Sequence, residues 1–223
     1  MSPAAIVLAP GLIHHPGRLD AAARERLAAE VAELLAAAPP FIPRMPRTGK
    51  PFSVRMSNGG PLGWVSDEAG YRYQATHPET GRPWPPIPPL ALETWAALAP
   101  DAAPPEACLV NLYAPDARMG LHQDRDEADL SAPVLSLSLG APARFRYGGL
   151  SRSDPTRSIR LEPGDAIVMG GPSRLAFHGI DRILAAAPDL LAETESGPPF
   201  LPAGWRCNLT LRRVTAPCVP RSA

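Results

Sequence analysis

From residue 107 the chain breaks into short runs with a period of two: "CLVNLY", "VLSLSL", "RFRY", "IRL", "AIVM" and "RCNLTLRRV". Turn-forming stretches separate them: "YAPDARMG", "LGAPA", "GGLSRSDPTRS" and "EPGD". Alternating side chains point to opposite faces of a strand, so each run predicts a short strand with one face inward. Several such strands at close spacing leave a sandwich or a barrel. Upstream the pattern differs. Residues 20 to 38 predict a helix capped by Asp20, with Leu27, Val31, Leu34 and Leu35 as its apolar stripe and Pro39-Pro40 as its stop. A second short helix is expected over 90 to 99, with Leu92 and Trp95 on one side. Between them, 41 to 89 reads as loops and short strands. The expected fold is mainly β with flanking helices. The chain divides into an N-terminal part, 1 to 105, a β-rich core, 106 to 215, and a tail, 216 to 223.

Length and composition agree with one globular domain plus an added lobe: 223 residues, 45% hydrophobic and 20% charged. No apolar run is long enough to span a membrane, so no membrane association is expected. The N-terminal "MSPAAIVLAPGLIHHPG" lacks a basic n-region and is not read as a signal peptide. Three cysteines without a CxxC pair suit a reducing, cytoplasmic setting, and a monomer is expected. The net charge is zero, yet arginines concentrate locally. Residues 41 to 60 carry Arg44, Arg47, Lys50 and Arg55 with no acid; 142 to 160 carry Arg144, Arg146, Arg152, Arg157 and Arg160 against Asp154 alone. Such patches bind phosphates even in a neutral chain. The competing explanation is compositional, since Lys50 is the one lysine.

The chemistry centres on "HQDRDEADL", residues 122 to 130. His122 and Asp124 are two apart and would share a strand face. His178, in "RLAFHGI", sits at an apparent strand end. Two histidines and a carboxylate on a β scaffold form the facial triad of non-haem Fe(II) oxygenases. His14, His15 and His77 lie beside prolines in expected loops and are poor rivals. In "RCNLTLR" the alternation puts Arg206, Asn208, Thr210 and Arg212 on one face. That is either a solvent face or a carboxylate site. The two arginines are about 20 Å apart along the strand, so one compact diacid would not meet both unless one arginine braces a metal-ligand carboxylate.

These motifs in this order resemble the AlkB family of Fe(II)/2-oxoglutarate-dependent dioxygenases. "NLYAP", "LHQDRDE", "VLSLSLG", "FRYGGLSRSDP", "GGPSRLAFHGI" and "RCNLTLR" carry the likeness, and "VRMSNGGPLGW", "GYRY" and "PWPP" resemble its nucleotide-recognition lobe. The resemblance covers about 52 to 213 and is similar to the bacterial DNA-repair branch. It implies a double-stranded β-helix (jelly-roll) core with a nucleotide-recognition lid in 1 to 105. Fe(II) would be held by His122, Asp124 and His178, with no catalytic side chain beyond these. The cosubstrate 2-oxoglutarate would be held by Asn111, Tyr113, Arg206, Asn208 and Arg212. With O₂, the family's reaction converts 2-oxoglutarate to succinate and CO₂ and hydroxylates an N-methyl group, which leaves as formaldehyde. The implied partner is alkylated DNA, single-stranded, with 1-methyladenine and 3-methylcytosine as typical lesions.

The target base must leave its stack. Met56, Trp64 and Tyr71 would line its pocket, Asp126 would face the cationic ring, and Arg152 would reach the substrate. On residues alone, Trp64 and Tyr71 also read as ordinary core aromatics. Met169 stands where the family pattern has a Trp, and 184 to 204 is longer than the pattern. Glu127 and Asp129 are expected in a solvated turn. The alternatives are an RNA (tRNA) demethylase of the same chemistry and a catalytically silent nucleobase-binding module.

Overall fold

The computed structural model describes residues 3–185 and 198–216. Two strands, β1 (Ile6–Ala9) and β2 (Leu12–His15), precede helix α1 (Ala21–Ala37). Then come β3 (Val54–Gly59), β4 (Gly63–Asp67), β5 (Gly70–Gln74) and helix α2 (Pro89–Leu98). The remaining strands are β6 (Ala107–Tyr113), β7 (Met119–His122), β8 (Val134–Gly140), β9 (Ala143–Tyr147), β10 (Arg157–Leu161), β11 (Ala166–Met169), β12 (His178–Ile183) and β13 (Arg206–Arg212).

Both helices form where expected. Asp20 caps α1 by accepting from the Ala23 amide, and Leu27, Val31 and Leu34 bury against the neighbouring sheet. In α2 the buried face differs from the expected one. Leu90, Ala91, Thr94 and Trp95 are buried, whereas Leu92 is exposed. Leu92 and Trp95 are three apart, but α2 presents the i, i+1, i+4, i+5 ridge to the sheet, which leaves Leu92 at its edge.

The strands build two facing antiparallel sheets and a separate hairpin. The larger sheet runs β1-β2-β11-β8-β13-β6-β3; the smaller runs β10-β9-β12-β7; β4 and β5 pair alone. This is the expected jelly-roll, mainly β with two flanking helices. The larger sheet takes strands from both sides of residue 106, because β2 pairs with β11 and β3 with β6. His14 and His15 are therefore strand residues and not loop residues. His14 bonds Asp165 at 2.8 Å, across to the turn before β11.

Alternation on the larger sheet sorts the side chains into two layers. Cys108, Val110, Leu135, Leu137, Cys207, Leu209 and Leu211 face the helices. Their neighbours Leu109, Asn111, Ser136, Asn208 and Thr210 face the smaller sheet. The polar stripe on β13 is thus interior, since helices cover one side of the sheet and the second sheet covers the other. The expectation of a possible solvent face fails for that reason.

Candidate metal centre and cosubstrate pocket

The space between the sheets is a cavity of about 70 Å³. At one end, His122 closes β7 and His178 opens β12, and the register sets them directly opposite each other. Asp124 lies just past the end of β7. One ligand atom from each of the three falls within 4.8 Å of the others. His122 Nε2 is 3.6 Å and His178 Nε2 3.8 Å from the Asp124 carboxylate. Each imidazole donates its Nδ1–H to a carbonyl, His122 to Gly120 at 2.9 Å and His178 to Ala176 at 3.0 Å. That fixes the tautomer and leaves each Nε2 lone pair free to bind a metal.

Electrostatics favour the ligand forms of these groups. Burial opposes ionisation of Asp124, but Arg212, His178 and His122 outweigh it and hold the carboxyl well below the usual range. Burial and the neighbouring His122 push His178 down to about 4, so it is neutral near pH 7. Arg212 grips Asp124 through two bonds, at 2.8 and 3.2 Å. It therefore braces a ligand carboxylate, as the strand-distance argument allowed.

The far end of the cavity belongs to Arg206. Its side chain is fully buried and forms no ion pair with any described carboxylate. Its terminal nitrogens bond Ser138 Oγ at 2.7 Å and the Ala141 carbonyl at 3.3 Å, while Nε has no partner. The Oδ1 atom of Asn111 is also buried and unpartnered. Asn208 donates to Ser136 Oγ and the Leu137 carbonyl, and Thr210 donates to Asn208. Tyr113 lines the same space. A buried cation without a counter-charge is costly. A carboxylate from a small acid would supply the counter-charge that Arg206 lacks and an acceptor for its unpartnered Nε–H. The residues fit 2-oxoglutarate at this end and Fe(II) at the other.

The recognition residues separate into two groups. Trp64 and Tyr71 stack on each other on the β4–β5 hairpin, centroids 5.6 Å apart and 18° between planes. The Asn58 side chain holds the hairpin by bonding both the amide and the carbonyl of Trp64 at 3.0 Å. The Trp64 indole donates to Asp126 at 2.8 Å, tying the hairpin to the segment that carries Asp124. Arg152 donates to the Leu121 carbonyl, beside His122, and lies over Phe177. Met56 packs in the core with Phe41 and Val54, and like Trp64, Tyr71, Asp126 and Arg152 it does not line the cavity between the sheets. Met169 does line it.

Two expectations about residues 122 to 130 are overturned. β7 ends at His122, so Asp124 and Asp126 are placed by an irregular segment and not by strand alternation. Glu127 and Asp129 are buried, not solvated. Glu127 pairs with Arg174 at 3.0 Å, approaches Arg212 at 3.5 Å and accepts from Tyr73. Arg174 also donates to the Asp124 carbonyl at 2.6 Å and to the Ala132 carbonyl at 2.8 Å. Nothing in the linear sequence distinguished Glu127 or Arg174. The serines that hold Arg206 and Asn208 were legible as the polar half of "VLSLSL". Most of the long stretch 184 to 204 lies outside the described residues; Phe200 and Leu201 pack on the helix-side core.

Known proteins place this geometry. The 2OG-Fe(II) oxygenase superfamily matches residues 11–212. The "Alpha-ketoglutarate-dependent dioxygenase AlkB homolog" of Caulobacter vibrioides (strain NA1000 / CB15N) is 52% identical over 93% of this chain and 90% of its own length. The "Alpha-ketoglutarate-dependent dioxygenase AlkB" of Escherichia coli (strain K12) is 42% identical over 82% of this chain and 86% of its own. The solved structure of OsALKBH1 superposes with a TM-score of 0.72 at 30% identity, covering 94% of this chain and all of that one. Partial matches include "DNA N(6)-methyladenine demethylase ALKBH1C" of Arabidopsis thaliana, over 49% of this chain and 24% of that protein. Another is "tRNA demethylase abh1" of Schizosaccharomyces pombe, over 35% and 26%. With likeness running nearly end to end and the metal-ligand geometry in place, this chain belongs to the 2OG-Fe(II) oxygenase superfamily, within its AlkB group of alpha-ketoglutarate-dependent dioxygenases.

Proposed function

We propose that the protein removes alkyl groups oxidatively from the ring nitrogens of damaged bases in DNA, such as 1-methyladenine and 3-methylcytosine. It would act on single-stranded substrate, as a cytoplasmic monomer. The observation that carries this reading is the Trp64–Asp126 hydrogen bond. It sets an aromatic face and a carboxylate together, two residues from Asp124. An aromatic face with a nearby anion suits a flat, cationic ring.

His122, Asp124 and His178 would hold Fe(II). Arg206, Asn208, Asn111 and Tyr113 would hold the carboxylate end of 2-oxoglutarate, and Arg212 would keep Asp124 aligned. Loaded with iron, cosubstrate and O₂, the site supplies decarboxylation of 2-oxoglutarate coupled to hydroxylation of the N-methyl carbon; the hemiaminal then splits into formaldehyde and the free base. The protein's own part is positioning. Trp64 and Tyr71 hold the base, Arg152 steadies the strand beside His122, and the apolar walls around Phe145 and Met169 exclude water. The N-terminal part, 1 to 105, would supply the recognition lid.

Purified protein with Fe(II) and 2-oxoglutarate is expected to release formaldehyde from methylated single-stranded DNA. Release no greater than from a His122→Ala control would sink the proposal. The tRNA demethylase among the partial relatives supports a second reading, the same chemistry on RNA. Matched DNA and RNA oligonucleotides turned over side by side separate the two. A silent binding module would bind lesions without substrate-triggered decarboxylation of 2-oxoglutarate.

A further inference from the structure

We propose that the outer face of the smaller sheet is a second, sequence-independent contact surface for the phosphate backbone of the substrate nucleic acid, outside the base pocket. The inference rests on the reading that the substrate is a nucleic acid.

The register places Arg160 of β10 opposite Arg144 of β9, and Arg144 opposite Arg182 of β12. Three arginines thus stand side by side across adjacent strands, spaced by about 4.8 Å per strand. Their side chains point outward, because Phe145 and Tyr147 of the same strand are buried inside. The Arg144, Arg160 and Arg182 side chains are 42, 43 and 59% exposed. Like charges directly opposite each other oppose strand pairing. Two carboxylates offset the row in part. Asp181 lies 3.3 Å from Arg144 and 3.7 Å from Arg182, and Glu162 meets Arg160. Arg146, one row nearer the metal end, bonds the neutral Thr156 hydroxyl and no carboxylate among the described residues. The face therefore carries four arginines against two acids in a chain of zero net charge.

Position argues for phosphate. β12 starts at His178, and Tyr147 of β9 is its register partner. The β9–β10 turn carries Arg152, which bonds beside His122. A line of guanidinium groups thus leaves the rim of the site at Arg152 and passes Arg146 to the row at Arg144. That row lies three residues from Tyr147, about 10 Å along the strand. Guanidinium forks match phosphate oxygens and need no base identity. A nucleic acid whose damaged base enters the cavity would lay its flanking phosphates along this line.

The test is the triple variant Arg144→Gln/Arg160→Gln/Arg182→Gln, none of which touches the metal or cosubstrate site. Formaldehyde release is measured on a methylated trinucleotide and on a methylated single strand of about 25 nucleotides, across a salt series. The variant is expected to match wild type on the trinucleotide. On the long strand its KM should rise several-fold at unchanged kcat. The slope of log affinity against log salt should become shallower by about 2, for three lost contacts on a single strand. Its Tm should stay level or rise, since like charges have been removed. Equal KM and equal salt slope on the long strand would overturn the proposal, as would lost activity on the trinucleotide. Competition by polyglutamate as strong as by an unmodified oligonucleotide would instead assign the face to an acidic protein and overturn it too. If wild type turns over neither strand, the dealkylation reading has failed on its own. The surface is then decided by fluorescence anisotropy with an unmodified strand: it stands if wild type binds and the variant loses that affinity, and falls otherwise.

Discussion

At the scale of single residues, the two arginines of β13 behave oppositely. Arg212 is buried among acids; Arg206 is buried without one. Arg212→Leu would strand Asp124, leave Glu127 to Arg174 alone among cations, and is expected to destabilise the apoprotein by about 3–5 kcal/mol. Arg206→Leu strands no charge. Its apoprotein should lose markedly less stability in denaturant titration, yet the Tm increase that 2-oxoglutarate gives wild type should vanish. Equal destabilisation by the two substitutions would refute this contrast. The acidic cluster divides in the same manner. Asp124→Ala should abolish both iron binding and turnover. Asp126→Ala should leave iron binding largely intact and weaken activity on cationic bases, because Asp126 meets Trp64 and no ligand histidine. Iron titration beside turnover on each variant checks this, and equal iron loss in both would count against it.

At the scale of elements, β12 is held against β7 more tightly than the hydrogen bonds alone require. A Cβ on Gly179 would lie 2.4 Å from the Met119 carbonyl and 2.8 Å from that of Gly120. Gly179→Ala must therefore push β7 away from β12 and separate His122 from His178. Iron affinity should fall at least tenfold, by comparison with the 10- to 100-fold losses seen when the support of metal ligands is disturbed. The helical layer is more forgiving. Asp20→Ala removes the α1 cap and should cost about 1 kcal/mol in unfolding free energy with no effect on iron binding. Six of the eight strands from 107 onward and both helices were legible because each has its own periodicity; β7 overlaps a stretch expected to be a turn, and β12, which His178 opens, has no run of its own. The buried face of α2 was not, since the same ten residues offer more than one apolar ridge and only the sheet beneath selects among them.

At the scale of the whole molecule, three layers share one set of strands, with helices on one side of the larger sheet and the smaller sheet on the other. The N-terminal strands are clasped to this body by Asp165. Its carboxylate accepts from His14 at 2.8 Å, from the Gly17 amide at 2.8 Å and from the Glu162 amide at 2.9 Å. Burial opposes its charge, but His14 and the two amides outweigh burial and lower its pKa. A carboxyl depressed in the folded state contributes stability above its unfolded pKa, near 3.8, and loses that contribution as pH falls through the folded value. Asp165→Asn should therefore be less stable than wild type at pH 5 by about 1–3 kcal/mol. The two should converge as the pH approaches 2. A stability difference that persists unchanged into acid would show that the charge is not what holds the clasp.

The linear order of residues determined the fold class, the metal trio and the polar stripe of β13. The fold class and the stripe depend on type and spacing within a few positions, which strand geometry converts into a shared face; the trio was legible from residue type and motif order, since His178 lies 56 positions from His122 and Asp124 sits past the end of β7. Only the tertiary structure decided the rest. Whether the β13 stripe meets water or a cavity depends on a second sheet built from distant strands. Glu127 and Arg174 became partners because a loop folds back across 47 positions, and no local pattern records a pairing of that range. The row of Arg160, Arg144 and Arg182 likewise exists only through register. Three arginines spread over 39 positions become one charged face when β9, β10 and β12 align.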